Sequence, residues 1–303
     1  MEPREKKKTL IQNITYMALM AAINLVFVLL TTFIPVLFFL IVFVLPLTSV
    51  IVTLHCQKRY FPIYAITTIG LCLLCTIWKI DDTIFYVIPS IISGFVFGLS
   101  IEKKVPSFWI ILATTLIQIG FTYASIPLIK LMTGRDIIYD FATVFGINDF
   151  IYLDYITPCF IYFLALAQQI LAFVIIREEL PKFGFELNEP TNIPLSLAIS
   201  IASSIVLTVI FAFIYGPIAY LFTLVGLFLS IYAVVYLVLE YNKLVYILLG
   251  VSLGLSIFLF AIFYPMVPVP LGMLFLNILF FMIAIIVLIN NYLLRRRKEA
   301  TIK

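Results

Sequence analysis

Long apolar runs separated by short polar turns make up almost the whole chain. Ten of them read as membrane-spanning helices: residues 10–33, 35–55, 61–79, 84–101, 107–131, 156–177, 193–214, 217–239, 244–264 and 270–294. A helix needs about 20 apolar residues to cross a hydrocarbon core of about 30 Å. The runs are too long and too continuous for the alternating strands of an outer-membrane barrel. The expected fold class is therefore all-α, a polytopic membrane protein of about ten transmembrane helices. Pro35 separates the first two runs in a tight turn. Pro106, Pro158, Pro194, Pro217 and Pro270 sit near run starts, where proline removes no needed N–H. Pro46 and Pro89 fall within or near run interiors, and Leu45-Pro46-Leu47 is the better candidate for a kink.

The first run has two distinct faces. Ala18 and Ala22 stand four apart and stack on one side, with Thr15 and Ala21 beside them. Small residues at that spacing let another helix approach closely, so Ala18, Ala21 and Ala22 are expected to pack against a partner helix. Asn13, Asn24 and Thr31 recur near whole helical turns and form a second, polar stripe. An asparagine at membrane depth needs hydrogen-bond partners, so Asn24 should face protein or water rather than lipid.

Composition supports a membrane protein. The chain has 303 residues, 64% of them hydrophobic and only 11% charged, with a mean hydropathy of +1.20; a soluble protein of this length needs far more polar surface. The charges are also sorted. With the N-terminus inside, of the 19 lysines and arginines only Lys79, Lys130 and Arg135 lie outside. Every inner loop then obeys the positive-inside rule, which predicts a multi-pass cell-membrane protein with both termini cytoplasmic. The organisation expected is a basic tail at 1–9, a six-helix membrane domain at 10–180, a cytoplasmic linker at 181–192, a four-helix membrane domain at 193–294 and a basic tail at 295–303. The basic start is too long in its apolar part for a cleaved leader and is expected to stay as the first helix. The Arg295-Arg296-Arg297-Lys298 tail should favour anionic lipid.

Candidate chemistry is sparse. No metal-binding constellation, phosphate loop or nucleophile motif is present, and no nucleic-acid interface or cofactor is expected. His55, the one histidine, reads as an interfacial residue. Cys72 and Cys75 form a C-x-x-C inside an apolar run and read as buried thiols; a membrane thiol–disulfide oxidoreductase would need an accessible pair. An enzyme is not expected. No run of intramembrane carboxylates offers an ion pathway. Gln168 and Gln169 should line an internal helix contact or cavity, and Asn277 is the main buried polar residue expected in the last four helices. Two outer segments carry charge. Trp78-Lys79-Ile80-Asp81-Asp82 is a short loop, and the stretch from Met132 through Arg135, Asp136 and Asp140 to Tyr155 is long enough for a structured lid or a surface helix.

The first six runs resemble the substrate-binding S components of energy-coupling-factor (ECF) vitamin transporters. The shared features are the helix count, the cytoplasmic N-terminus and the A-x-x-x-A of Ala18 and Ala22. The full layout is similar to the YybS-like family of predicted bacterial membrane proteins. That similarity rests on the first-helix pattern, Leu45-Pro46-Leu47, Gly94-x-x-x-Gly98 before a basic inner loop, the long outer segment and the four extra C-terminal runs. The resemblance implies that Ala18 and Ala22 pack against a T-type transmembrane protein driven by two ATPase subunits. It also implies a small-molecule ligand near the outer face, with Asn24, Lys79, Asp81, Asp82, Arg135 and Asp136 as candidate contacts. The chain departs from the S-component pattern in its four extra runs and its short loop between the first two. The leading expectation is a substrate-capture subunit of an ECF-like importer for a vitamin or other small metabolite. A membrane scaffold or assembly factor without ligand is the alternative, and a secondary transporter with two inverted five-helix halves is a third reading.

Overall fold

A computed structural model describes residues 9–34, 37–144, 146, 153–185, 193–239, 243–263 and 272–302. Among them every regular element is helical. The α-helices are α1 (Leu10–Phe33), α2 (Phe38–His55), α3 (Phe61–Cys75), α4 (Ile88–Glu102), α5 (Ser107–Thr133), α6 (Ile137–Val144), α7 (Leu153–Glu179), α8 (Ile193–Ile214), α9 (Gly216–Leu239), α10 (Lys243–Phe263) and α11 (Leu276–Ile302). Eight described helical segments are long and apolar enough to cross a membrane, as a multi-pass membrane protein requires.

The expected count of ten spans is not reached among the described residues. The described apolar part of α2 is Phe43–His55, and α3 has 15 residues, about 22 Å at 1.5 Å per residue. The run expected at 61–79 stops at Cys75. Beyond it come a 3₁₀ turn at Ile77–Lys79, a short helical turn at Ile80–Asp82 and a π turn at Thr83–Val87 that leads into α4. Two threonines tie the ends of this irregular stretch, with the Thr76 and Thr83 hydroxyls 3.0 Å apart. Pro46 does not end α2, which continues through it; Pro89 lies in the first turn of α4.

The chain divides into two compact units, Met1–Gly146 with Phe163–Pro190, and Ile147–Tyr162 with Thr191–Lys303. The sixth run, expected whole in the first domain, is therefore split, with the start of α7 grouped with the later helices.

In the first unit, α2 packs along α4, α1 lies on α2 and α3, and α4 lies on α5. Two glycines make the α2–α4 contact close. A Cβ on Gly94 would strike the Pro46 carbonyl oxygen and stand 2.6 Å from the Ser49 Cβ, and one on Gly98 would stand 2.6 Å from the Thr53 Cβ. Helices approach this closely only where the side chain is absent. The Leu-Pro-Leu and G-x-x-x-G segments are thus two halves of one interface. The core around it includes Met17, Ala21, Leu45, Val52, Tyr64 and Ile91.

In the second unit, α8, α9 and α11 pack on one another, and α10 lies on α11. Ser200, Ser204 and Thr208 recur on the buried face of α8. Gly226 of α9 meets that face: a Cβ there would come within 2.9 Å of both Ser204 Oγ and the Phe280 ring. Asn277 is buried, but its Nδ2 donates to the Leu274 carbonyl at 3.0 Å, within its own chain segment.

Candidate functional site

The polar stripe of α1 faces inward. Asn13 and Asn24 are fully buried and Thr31 nearly so. Asn13 Oδ1 accepts the Gln57 backbone N–H at 3.0 Å and so pins the end of α2 to α1. Asn24 closes a ring of hydrogen bonds with α2 and α3. Its Nδ2 donates to Tyr64 Oη at 3.1 Å, the Tyr64 hydroxyl donates to Thr48 Oγ1 at 3.2 Å, and Thr48 Oγ1 donates back to Asn24 Oδ1 at 2.8 Å. Ser49 Oγ lies 3.3 Å from Tyr64 Oη. Each hydroxyl in such a ring both gives and receives, and the bonds polarise one another. Named from sequence as a ligand contact, Asn24 has both ends of its amide engaged by the protein, which makes it a joint between three helices.

The opposite face of α1 leaves Ala18, Ala22 and Thr15 exposed. Ala21 is a correction. It is 1% exposed and belongs to the core with Met17 and Val28. One residue of helix turns the chain about 100°, enough to carry Ala21 from the small outward face to the inward one.

Three of the charged candidates meet at one end of the first unit. Arg135 Nη1 is 3.5 Å from Asp81 Oδ2, and Arg135 Nη2 is 3.0 Å from Asp140 Oδ2. Lys130 Nζ holds Asp136 Oδ2 at 2.7 Å. The other oxygen of Asp136, Oδ1, accepts the Tyr139 backbone N–H at 3.2 Å, so Asp136 caps the short helix α6 as an N-terminal aspartate does. The lone Gly134 turn between α5 and α6 is left-handed, at φ 72°, a conformation that suits glycine. Lys79 and Asp82 lie in the adjoining helical turns, and their side chains fall outside the described residues. Asn24 does not join this cluster.

The Lys130 ammonium, with the Tyr139 N–H, holds the Asp136 carboxyl below the ordinary carboxylate range. A depressed pKa means stability that is present above the unfolded-state value and lost only as pH falls through the folded one. The α6 cap should therefore survive mild acid. Protection factors of the 137–144 backbone amides are expected to be unchanged from neutral to mildly acidic pH, whereas Asp136→Ala, which removes the capping oxygen, should fray α6 already at neutral pH. Equal protection in the two proteins at neutral pH would refute this.

Away from these charges, α5 and α7 bring two buried glutamines together. Gln169 Nε2 approaches Gln118 Oε1 at 3.5 Å, a long bond by ordinary standards. Gln169 Oε1, Gln168 Nε2 and Ser90 Oγ are buried with no protein partner. The two adjacent glutamines were expected at an internal contact or cavity, and both are buried. Ser90 was not foreseen; its sequence signal is a serine beside Pro89 at the start of an apolar run.

At the other end of the first unit, His55 is half-buried rather than merely interfacial. Its ring stacks on Tyr16 at 5.4 Å and meets the edges of Phe183 at 6.3 Å and Phe185 at 5.0 Å. Its Nδ1 lies 3.2 Å from the Ile51 carbonyl. Nearby, Lys58 Nζ pairs with Glu102 at 2.7 Å. Cys72 is fully buried and Cys75 partly so, with no disulfide between them. Among the described residues no cluster of His, Cys, Asp and Glu could hold a metal ion.

No family model matches the chain, and no curated protein or solved structure is similar to it by the same comparisons.

Proposed function

We propose that this chain is the substrate-capture subunit of an ECF-like importer in the cell membrane, with ten spans and both termini cytoplasmic. It would take a vitamin or other small metabolite from the outer side and work with a T-type transmembrane protein and ATPase subunits. The observation that carries the reading is α1. Its buried polar face is tied to α2 and α3, while Ala18 and Ala22 stand open on the other side. A helix whose only task was anchoring would not need an inward amide ring and an outward small-residue face together. The similarity to S components and to the YybS-like family, drawn from sequence, supports the same role.

The Ala18→Leu/Ala22→Leu double variant should fold as the parent does, because both side chains lie on the exposed face. It should lose its partners. The test is a gentle-detergent pull-down of the tagged protein from native membranes, with the copurifying proteins identified. Recovery of a T-type protein and ATPases with the parent but not the variant supports the role; undiminished recovery with the variant refutes it for α1.

One observation favours the scaffold reading. Arg135 is already engaged by Asp81 and Asp140, and Asp136 by Lys130, so these charges hold the lid segment together without a ligand. A scaffold would show no saturable rise in melting temperature with any metabolite, whereas a captured ligand stabilises by mass action.

A further inference from the structure

A serine or threonine inside a helix ordinarily gives its hydroxyl proton to the carbonyl three or four residues back. Thr53, Thr114, Thr115, Thr122 and Ser125 all do so. Ser90 does not. It is fully buried, and the residue four positions earlier, Tyr86, lies in the π turn Thr83–Val87. π turns inside helices recur at functional sites.

The helix packing sets Ser90 within about one turn of the glutamines. Only residues 103–106 connect α4 to α5, so the two run antiparallel and Gln118 comes level with the first turns of α4. Phe173 of α7 meets Phe97 of α4 at 6.3 Å, and Gln169, one turn earlier on α7, meets Gln118. These two contacts run α7 parallel to α4 and bring Gln169 level with Ser93, about one helical turn from Ser90. In either orientation of its amide, one polar atom of Gln169 is left without a protein partner. A buried polar atom of this kind is costly unless something else bonds it.

We propose that Ser90, Gln118 and Gln169 form a binding site, at the start of α4 and midway along α5 and α7, for a neutral molecule that presents a planar amide- or ureide-type group. A glutamine amide offers a donor and an acceptor side by side, and such a group complements it; Ser90 can give or receive one further bond. Charge is excluded for a physical reason. Between Glu102 and Lys130 at the ends of α4 and α5, and between Asp154 and Arg177 on α7, these helices carry no acidic or basic side chain. An ionised ligand would therefore be buried without a counter-charge. The inference rests on the capture role proposed above and specifies the chemistry of its substrate.

The test uses the full-length protein purified from native membranes in gentle detergent. Small molecules released by heat denaturation are identified by mass spectrometry, and melting temperature and copurifying proteins are recorded on the same samples. The parent should release a single compound that is uncharged at neutral pH and contains an amide or ureide. Gln118→Leu and Gln169→Leu should each lower its occupancy about tenfold, the equivalent of one lost hydrogen bond to a ligand, without loss of fold. Ser90→Ala, which barely alters shape, should lower it several-fold and guards against misfolding of the leucine variants. Release of a charged compound, of none at all (as when only water fills the site), or of undiminished compound from Ser90→Ala and the folded leucine variants overturns the proposal. Loss of the T-type partner and ATPases with the neutral compound still bound would refute the importer reading and leave the site standing.

Discussion

Gly94→Val is expected to destabilise the first unit by about 3 kcal/mol, at the upper end of the usual cost of overpacking. The added methyls would meet the Pro46 carbonyl oxygen and the Ser49 Cβ, and the first of these is backbone that cannot rotate out of the way. Relief would require α2 and α4 to separate along the contact that organises this unit. Gly70 provides the comparison. Nothing lies within 4 Å of a Cβ placed there, so Gly70→Ala should be neutral or stabilise α3 by up to about 1 kcal/mol, since alanine loses less backbone freedom than glycine. Thermal or denaturant unfolding of the two variants in one detergent decides the matter. A Gly94→Val protein as stable as Gly70→Ala would mean that α2 and α4 do not approach as described.

The amide ring of α1 should give the second large effect. Asn24→Ala removes the group that joins α1 to both α2 and α3, and leaves the Thr48 and Tyr64 hydroxyls short of partners in a buried site. A single hydrogen bond between membrane helices averages about 0.6 kcal/mol and reaches about 1.7. An orphaned buried polar group adds about 1 to 3. Asn24→Ala is therefore expected to cost about 2 to 3 kcal/mol and Tyr64→Phe about 1 to 2, by the same reasoning. Because the two side chains share bonds, the double variant should fall short of the sum. Additive losses in the unfolding free energies would show that the ring does not act as one unit.

Much of this was legible in the chain. The 3.6-residue recurrence of Asn13, Asn24 and Thr31 carried enough information to place them on the inward side of α1, because a buried polar group must return to the same face turn after turn. Leu45-Pro46-Leu47 and Gly94-x-x-x-Gly98 were visible as separate motifs. Their union was not, since spacing along one helix does not name the helix it meets. Ala21 was misplaced because small size alone cannot separate a residue that admits a partner from one that fits a core. The break after Cys75 was hidden by hydropathy, which stays high into Trp78 and resumes at Ile84, while a π turn depends on backbone geometry. The ion-pair cluster depended on contacts such as Arg135 with Asp81, separated by 54 residues. The loose end at Ser90 emerges only once each neighbouring hydroxyl has been traced to its carbonyl.

The division of α7 bears on how the protein is made. Its opening turns group with residues beyond 190, and the remainder with residues before 147. During synthesis the early helices emerge first, yet the aromatic enclosure of His55 waits for Phe183 and Phe185, after all of α7 has left the ribosome. The opening turns of α7 must wait longer still, until α8 and α9 follow. A cut at the 181–192 connection, the natural place to divide the gene into two fragments, would strand Ile147–Tyr162 on the wrong piece. The two units are thus interleaved in the genetic text, and neither can be produced whole as one uninterrupted stretch of it.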